Sequence, residues 1–430
     1  MKGAESPLQV ARRRIFISAY ACSPFQGSEP GVGWGFVQQL AKHFDLDVVV
    51  EEEKFKDDIE RWIFENQDDP ASQVNFHFIA KKRNRLLRKI WPPSYYWYYK
   101  KWHKDAMVLA RDLHQVRPFD LAHQLTMVGF REPGYLWKLD IPFVWGPIGG
   151  AGLFPWRFLP VMGWRGAVRY IGYNLINSLQ MRLLLRPRLA AKKASKGLIV
   201  ATSENRDAAR LHWDVNARIL AEVGLNSLPR TAPSSRAPDE PLKIIWTGQH
   251  THRKALNIGL YALAKLPEHV NWELHILGKG ALSKRWKYQA KRLGIAQRCS
   301  FHGWIPRDEA LKIAANGHVA LITSLRDLTS TVTVEALELG LPVIAPSHCG
   351  FVDAVTQDCG ILVPVNSFSA MTTAITQAVL TLATNEKFRY RLGQGALRRA
   401  PFYDWSRKGD ELMKVYSERF AETELVKGTL

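Results

Sequence analysis

The stretch that decides the fold is SLRDLTSTVTVEALELGLPVIAP, residues 324–346. Small hydroxyl residues follow an apolar run, a helical apolar pattern extends from Thr331 to Leu339, and another apolar run comes after Pro342. This order predicts a strand, a turn, a helix and a returning strand, which is the repeating unit of an α/β sheet. The start of such a helix leaves backbone N–H groups free and therefore favours an anion such as a diphosphate.

The same unit recurs along the chain in two series, separated by a segment rich in Pro, Ser and Arg at residues 229–241. Such a segment predicts a linker. Short apolar runs predict strands at residues 14–21, 46–50, 74–79, 121–124, 143–145 and 198–202 before it, and at 243–246, 273–277, 319–322 and 342–345 after it. We therefore expect an α/β protein with two Rossmann-like domains, whose ligands bind where the strands end, in the cleft between them.

Composition narrows the classes of partner. The chain has 59 Lys and Arg against 40 Asp and Glu, a formal net charge of +19, which predicts attraction to nucleic acid, an anionic membrane or phosphorylated substrates. Its four cysteines have neither metal-site nor disulfide-framework spacing, which favours a reducing cytoplasm. The run from Ile15 to Ala21 is too short for a signal peptide core. The sequence has no uninterrupted run of about 18 apolar residues, so no membrane-spanning helix is expected.

Two carboxylates flank the predicted helix start. Asp327 precedes it and Glu335 lies one turn inside it, with seven residues between them. Both are placed to accept hydrogen bonds from sugar hydroxyls. The alternative is an ordinary helix capped by Ser or Thr, with solvated acids.

This segment resembles the acidic-x7-Glu signature of glycosyltransferase family 4, among the group 1 glycosyltransferases of bacterial surface-polysaccharide type. The resemblance implies the GT-B fold, a donor-sugar contact by Asp327 and a ribose contact by Glu335. It also implies that backbone amides hold the diphosphate and sugar around Thr329, Ser330 and Thr331. Two departures are visible: Asp327 stands where Glu is usual, and Thr329-Ser330 stands where many members have Phe-Gly.

The segment IIWTGQHTHRKAL, residues 244–256, resembles the strand, glycine and basic residues of the family's donor-phosphate site. Gln249 replaces the usual Arg after Gly248, so we expect Arg253 and Lys254 to supply the positive charge. Cations placed there stabilise the charge that gathers on a departing nucleoside diphosphate. The alternative is a solvated basic helix start.

Further segments resemble the family in the same order. They imply donor contacts by Gly278 and by Trp304, the latter near the base, while FYDWS at 402–406 resembles the return of the C-terminal helix to the first domain. The glycine turn with Gly31 and Gly33 resembles the family's first glycine loop, although a simple tight turn is the alternative. The resulting domains are 1–228, completed by a helix at about 406–430, and 242–405.

Two further patterns have competing interpretations. His123 follows a predicted strand, so we expect it to face the acceptor; a structural histidine is the alternative. Asp45-Leu-Asp47 spells the D-x-D motif of other glycosyltransferases, but the residues around it predict a surface-alternating strand. No His/Cys cluster predicts zinc, and no metal ligands are expected.

Two stretches interleave basic and aromatic residues, at 81–104 and 156–196. In the second, Trp164, Val168, Ile171, Leu175 and Leu179 have helical spacing, with Arg165, Arg169, Arg182 and Arg186 among them. This composition favours peripheral contact with the headgroups of an anionic membrane. A buried apolar helix face is the alternative. Nucleic-acid binding is not expected, because no nucleic-acid-binding fold signature accompanies these stretches.

The family resemblance implies a hexosyltransferase that retains anomeric configuration. It would transfer sugar from a nucleotide-sugar donor, a substrate rather than a cofactor, to a hydroxyl of a lipid-linked glycan acceptor. No obligatory cofactor is expected, and the enzyme would lie on the cytoplasmic face of the membrane. Two alternatives stay open: a nucleotide-sugar epimerase of the same fold, which needs no acceptor, and a basic non-catalytic binding module.

Overall fold

The computed structural model describes residues 12–81, 90, 94–226 and 231–428, the side chains from 426 onward excepted. It contains two parallel sheets, one of seven strands and one of six. Helices cover both, so the strands are buried and apolar, as parallel sheets require. The predicted α/β class with two Rossmann-like sheets is confirmed, while the exact domain limits stay a prediction.

The first sheet has the strand order β3-β2-β1-β4-β5-β6-β7. Its strands are β1 Arg14–Ala19, β2 Asp45–Glu51, β3 Asn75–Ile79, β4 Leu121–Thr126, β5 Phe143–Ile148, β6 Leu198–Val200 and β7 Arg218–Ile219. The helices in this part of the chain are α1 Glu29–Ala41, α2 Glu52–Glu65, α3 Ser94–Val116, α4 Gly163–Leu183, α5 Leu185–Ala194 and α6 Ser203–Trp213. The connections put the carboxyl ends of the central strands at one edge of the sheet.

The second sheet has the order β10-β9-β8-β11-β12-β13. Its strands are β8 Leu242–Thr247, β9 Trp272–Leu277, β10 Cys299–Gly303, β11 Val319–Leu321, β12 Val343–Pro346 and β13 Gly360–Val363. The remaining helices are α7 Leu256–Leu263, α8 Ser283–Arg292, α9 Arg307–Ala315, α10 Thr331–Glu338, α11 Phe351–Ala354, α12 Phe368–Thr384, α13 Glu386–Arg399 and α14 Trp405–Gly428.

The last helix, α14, returns to the first sheet. Leu412, Val415, Tyr416 and Phe420 are buried in the hydrophobic core that also contains β1, β4 and β5. The final 24-residue helix therefore belongs by its packing with the N-terminal half of the chain.

The chain crosses between the two sheets twice, and the crossings are hydrogen-bonded to each other. The Leu225 N–H donates to the Tyr403 carbonyl at 2.8 Å, and the Trp405 N–H donates to the Leu225 carbonyl at 3.1 Å. The Trp405 indole lies against two glycines: an ideal Cβ would lie 2.3 Å from it at Gly35 and 2.5 Å from it at Gly224. Neither position has room for a side chain.

The D-x-D segment is not a surface-alternating strand, as the sequence suggested. Asp47 is buried, and its carboxylate accepts hydrogen bonds from Arg14 Nε and His77 Nε2, both at 2.9 Å. The interpretation was wrong for Asp47 because neighbouring strands supply its partners. Asp45 pairs with Arg117 at the surface.

The two basic aromatic stretches differ in structure. In the first, Trp102 is 1% exposed and Tyr99 is also buried, whereas Trp97 is exposed. Residues 82–89 and 91–93, with Trp91, lie outside the described residues. In the second, the buried-face alternative is wrong: α4 exposes all five of the spaced apolar residues, Trp164, Val168, Ile171, Leu175 and Leu179. None of the described helices is long and apolar enough to cross a membrane.

Candidate functional site

A cavity of about 510 Å³ lies at the carboxyl ends of the second sheet's strands. We call it the helix-end cavity. Five residues predicted to bind the donor line it: Gly248, Gly278, Trp304, Thr331 and Glu335. Gly27 and Ser28, from the glycine turn of the first sheet, close it from the opposite side. The cavity is therefore formed by both halves of the chain.

The start of α10 is the polar end of this cavity. Ser330 occupies the N-cap position with φ 68° and ψ 115°, and its side chain makes no capping hydrogen bond. Thr331 and Val332, the first two helical residues, line the cavity. Amides in the first turn of a helix have no intrahelical acceptor, so an uncapped start of this kind suits an anion.

Glu335 lies one turn further along α10. Its Oε1 accepts hydrogen bonds from Arg307 Nη2 at 2.7 Å and Nε at 3.1 Å. Burial raises the pKa of this carboxyl, and the charge of Arg307 lowers it. Both residues line the cavity, so Glu335 offers an acceptor for hydroxyl groups there.

The three residues predicted to be catalytic form one cluster. Lys254 Nζ lies 2.5 Å from Asp327 Oδ2, and Arg253 Nη1 lies 3.4 Å from Asp327 Oδ1. Arg253 also donates to the Arg326 carbonyl at 3.3 Å. Two cations thus surround one carboxylate, which leaves a net positive charge beside the loop that leads into α10.

A second cavity of about 300 Å³ opens on the other side of this cluster; we call it the interdomain cavity. Asp327, Arg253, Arg326 and Leu328 form one wall. The facing wall consists of residues that follow β4, β5 and β6: Val128, Gly129, Arg131, Gly150, Gly152 and Glu204. The cavity lies where the strand ends of the two sheets approach each other.

His123 does not face this cleft, which corrects the expectation drawn from its strand-end position. It is fully buried, bonded through Nδ1 to the Tyr416 hydroxyl of α14 at 2.7 Å and through Nε2 to the Gly146 carbonyl at 2.8 Å. Burial lowers its pKa to about 4. Its environment is that of a structural core histidine, held between β4 and the returning helix.

Three donor-site predictions also need correction. Gly33 lies inside α1, where a Cβ would be 2.2 Å from the Ala21 carbonyl oxygen, and a Cβ on Gly31 would be 2.8 Å from the Gln26 carbonyl oxygen. These two glycines therefore allow the helix to pack closely against the backbone before it. Gly27 and Ser28 line the cavity instead. Thr329 is buried and donates through its N–H (3.1 Å) and Oγ1 (2.9 Å) to the carboxylate of Glu222. Its amide is therefore already bonded.

Several residues of these cavities were missed from the sequence. Glu204 follows β6, two residues after Thr202, which caps α6, so the strand-end rule that selected His123 applies to it equally well. Arg131 and Arg307 have no local pattern that distinguishes them from other surface arginines. No group of three or more His, Cys, Asp or Glu side chains able to hold a metal ion is found in the described part of the chain.

Part of the sequence is similar to known glycosyltransferases. Residues 229–398 match the family model described as "Glycosyl transferases group 1". The chain is 26% identical over 145 residues to a D-inositol 3-phosphate glycosyltransferase of Corynebacterium glutamicum, covering 34% of each protein. It is 26% identical over 156 residues to the lipopolysaccharide glucosyltransferase WaaG of Escherichia coli, covering 34% of this chain and 41% of WaaG. These alignments thus span well under two thirds of each relative's length.

The solved structures that match cover more of the chain than these sequence relatives do. HepE of Anabaena in complex with UDP has a TM-score of 0.60 at 16% identity, with 94% of this chain and 100% of that chain covered. Sucrose-phosphate synthase of Thermosynechococcus elongatus has a TM-score of 0.63 at 16% identity, with 96% and 100% covered. At this identity the likeness shows the fold, and the expected GT-B architecture is confirmed. The chain has the GT-B fold, and its residues 229–398 match the family model of the group 1 glycosyl transferases.

Proposed function

We propose that this protein transfers a sugar from a nucleoside diphosphate sugar to a hydroxyl of a glycan acceptor, with retention of anomeric configuration. The observation that carries the proposal is the uncapped start of α10, placed between Glu335 and the Asp327 cluster. In this assignment the α10 amides bind the diphosphate, Glu335 binds the ribose and Asp327 binds a donor-sugar hydroxyl.

Arg253 and Lys254 stabilise the leaving group in this scheme. The bond between the sugar's anomeric carbon and the diphosphate oxygen breaks, the acceptor oxygen bonds to that carbon on the same face, and the acceptor's proton passes to the leaving phosphate. Charge that develops on the phosphate is stabilised most by cations already held in place. Both cations are held by Asp327 before any substrate arrives.

UDP-sugars are the first donors to test, because HepE, which has the same fold, was solved with UDP-glucose. Incubation with a donor panel separates the transferase from an epimerase, which would release free sugar and nucleotide without an acceptor. It also separates it from a binding module, which would turn over no donor.

Glu335→Ala tests the donor assignment. We expect UDP to bind about 10- to 150-fold more weakly, because a charged hydrogen bond contributes about 1.5–3 kcal/mol. Calorimetry gives the affinity, and circular dichroism confirms that the variant is folded. Glu309→Ala, an exposed carboxylate on α9, is the matched control. Unchanged affinity for UDP and the other nucleoside diphosphates in folded Glu335→Ala would count against the ribose contact.

The double variant Arg253→Ala/Lys254→Ala tests leaving-group stabilisation. We expect turnover to fall about a hundredfold or more, as when a preorganised electrostatic contact is removed. Because this variant leaves Asp327 unpaired, a triple variant that adds Asp327→Asn separates the two effects. Asp327→Asn alone gives the turnover lost with the donor-sugar contact, so recovered stability in the triple variant with turnover well below that of Asp327→Asn supports the assignment. Near-normal turnover in the double variant places the diphosphate elsewhere.

We also propose that α4 docks the protein on the cytoplasmic face of an anionic membrane. Trp164, Leu175 and Leu179 are 74%, 60% and 58% exposed, and the exposed Arg165 and Arg169 lie beside them. Apolar side chains flanked by arginines suit a headgroup region, and each basic residue near an anionic surface contributes about 1 kcal/mol. The net charge of +19 agrees with an anionic partner.

Co-sedimentation with vesicles tests this docking. Wild type is expected to bind vesicles containing anionic lipid and to be released only partly by high salt, since salt screens charge but not apolar insertion. Trp164→Ser/Leu175→Ser/Leu179→Ser should be released completely. Leu211→Ser, an exposed leucine on α6, is the control. Equal binding to neutral and anionic vesicles, or binding to neither, would contradict the proposal.

A further inference from the structure

The interdomain cavity contains more positive charge than its own carboxylates neutralise. We propose that it is the acceptor subsite and that the acceptor is acidic: a sugar that carries a phosphate or carboxylate group close to the hydroxyl that is glycosylated. This inference rests on the proposed transferase function and specifies its second substrate.

The position of the cavity supports an acceptor role. One wall contains Asp327 and Arg253, the residues assigned to the donor sugar and its leaving group. The other wall follows three strands of the first sheet. Among the described residues of that half of the chain, only Gly27 and Ser28 line the helix-end cavity. A molecule bound here would touch the reacting end of the donor while resting on the opposite sheet.

The charges of the cavity support an acidic ligand. Arg131, Arg253 and Arg326 line it together with Glu204 and Asp327, and Asp327 is already paired with Arg253 and Lys254. Within the described ranges, no carboxylate lies within ion-pair distance of Arg131 or Arg326. A guanidinium group pairs well with phosphate and carboxylate because its donors are planar and paired.

Neutral groups hold these two arginines in place. Arg131 Nε donates to Gln180 Oε1 at 2.5 Å, and its Nη2 donates to Asn177 Oδ1. The Arg326 guanidinium lies 3.9 Å from the centre of the Tyr173 ring. Amide oxygens and an aromatic face orient a guanidinium without cancelling its charge, so both side chains can pair with an anionic ligand.

Glu204 supplies the polar contact for the acceptor's hydroxyl. Its Oε2 lies 2.6 Å from the position that a Cβ on residue 152 would occupy. Because Gly152 has no side chain, the carboxylate can lie close to the backbone of this loop. Burial raises its pKa, while a hydrogen bond from Leu153 and the charges of His348 and Arg326 lower it. In the proposed subsite Glu204 accepts a hydrogen bond from the attacking hydroxyl and orients it, and the proton still leaves with the phosphate.

Helix α4 connects this subsite to the proposed membrane face. The Tyr173 hydroxyl donates to the carbonyls of Gly150 at 3.4 Å and Gly152 at 3.3 Å, and Asn177 Nδ2 donates to Ala151 at 2.8 Å. The face of α4 that contacts the cavity loop is thus distinct from the face that exposes its apolar residues. Because one helix connects the subsite to the proposed membrane surface, the acidic group can belong to the acceptor sugar or to the phosphate of a lipid anchor.

Acceptor kinetics with a fixed UDP-sugar donor test the proposal and separate these two sources. The acceptors are a neutral alkyl glucoside, glucose 6-phosphate, a glucuronide and a lipid-diphosphate-linked sugar. Wild type is expected to prefer the acidic acceptors. Arg131→Gln and Arg326→Gln should raise KM for them at least tenfold, while KM for the neutral glucoside and the UDP affinity change less than twofold. Arg292→Gln, an exposed arginine on α8, is the control.

If the arginine variants raise KM for glucose 6-phosphate or the glucuronide, the acidic group belongs to the acceptor sugar. If they raise KM only for the lipid-diphosphate-linked sugar, the acidic group belongs to the lipid anchor. Glu204→Gln is expected to lower kcat/KM for every acceptor at least tenfold, with UDP affinity unchanged. Equal use of neutral and acidic acceptors, unaffected by either arginine variant, overturns the acidic subsite and leaves the transferase intact. Absence of binding and of turnover with every nucleoside diphosphate sugar of the donor panel overturns both.

Discussion

At the scale of single residues, Ser330 has an unfavourable backbone conformation. Its φ of 68° with ψ 115° lies in a region that glycine adopts readily and other residues do not, and such a conformation costs about 1–3 kcal/mol. Its hydroxyl makes no capping bond, so replacement by glycine loses no contact of that kind. We expect Ser330→Gly to raise the free energy of unfolding by about 1 kcal/mol, measured as a higher urea midpoint.

A matched control is available at another helix start. Ser367 is also an N-cap, but its φ is −159° and its hydroxyl accepts a hydrogen bond from the Ala370 N–H. Ser367→Gly should therefore lower stability by a few tenths of a kcal/mol. If both substitutions lowered stability equally, the backbone of Ser330 would not be the source of the effect.

His123 gives the protein a defined pH dependence. Its pKa is about 4 in the folded chain, against 6.5 when exposed, so the folded state keeps it neutral while the unfolded state takes up a proton. The stability it contributes is complete above pH 6.5 and is lost as the pH falls through about 4. By linkage this amounts to about 3 kcal/mol.

His123→Gln removes this titration. Urea unfolding of both proteins between pH 7 and pH 4 should show wild type losing about 3 kcal/mol more than the variant. His103 and His318, whose pKa values are also lowered by burial, are present in both proteins and cancel in the difference. Parallel pH profiles would mean that folding does not lower the pKa of His123.

The sequence predicted the central elements well because their own residues determine them. Strands buried on both faces form short apolar runs, so β1, β8 and β9 lie within two residues of their predicted limits. Strands β7, β10 and β13 were missed. Strand β7 has only two residues, and the exposed edge positions of the other two interrupt the apolar pattern.

The site residues divide in the same way. Gly248, Gly278 and Glu335 come together because each follows or faces the end of a parallel strand, which local sequence reveals. His123 and Thr329 depend on partners 293 and 107 residues away in the chain. No pattern around either residue indicates Tyr416 or Glu222, so their burial was not predictable from the sequence.

At the scale of elements, α14 stabilises the first sheet through a few buried side chains. Tyr416 is fully buried, and its hydroxyl bonds His123. We expect Tyr416→Ala to cost about 3–5 kcal/mol, the range for large aromatic residues removed from a core. Thermal and urea unfolding measure the loss.

Two controls separate packing from hydrogen bonding. Lys414→Ala, on the exposed side of α14, should change stability by less than about 0.5 kcal/mol. Tyr416→Phe keeps the ring and should cost about 1 kcal/mol for the lost bond to His123. A Tyr416→Ala protein as stable as wild type would mean that α14 does not complete the first sheet's core.

At the scale of the whole molecule, the two halves touch closely at Gly149. A Cβ at this position would lie 2.6 Å from Leu328 Cδ2, across the interdomain cavity's edge. We expect Gly149→Val to push the halves apart, raise the radius of gyration in X-ray scattering and lower transfer about a hundredfold, because small misplacements of reacting groups are costly. UDP affinity should change less than transfer does.

A compensating variant tests the cause. Leu328→Ala removes the side chain that the valine meets, so Gly149→Val/Leu328→Ala should recover the wild-type radius of gyration. If the double variant stays expanded, or if Gly149→Val alone is as compact as wild type, the Gly149–Leu328 contact does not set the closure of the two halves.

The paired crossings at Leu225 and Trp405 have a consequence for how such chains diversify. Because the second sheet leaves and rejoins the first at adjacent, hydrogen-bonded points, it is an internal insertion in the N-terminal fold. Recombination that exchanged residues 231–404 as a cassette would replace the second sheet without breaking the first core. A chimera joined at a single point in the linker would instead pair one parent's β-strands with the other's final helix. The residue that the foreign helix carries at position 405 would then have to fit against Gly35 and Gly224 of the first parent.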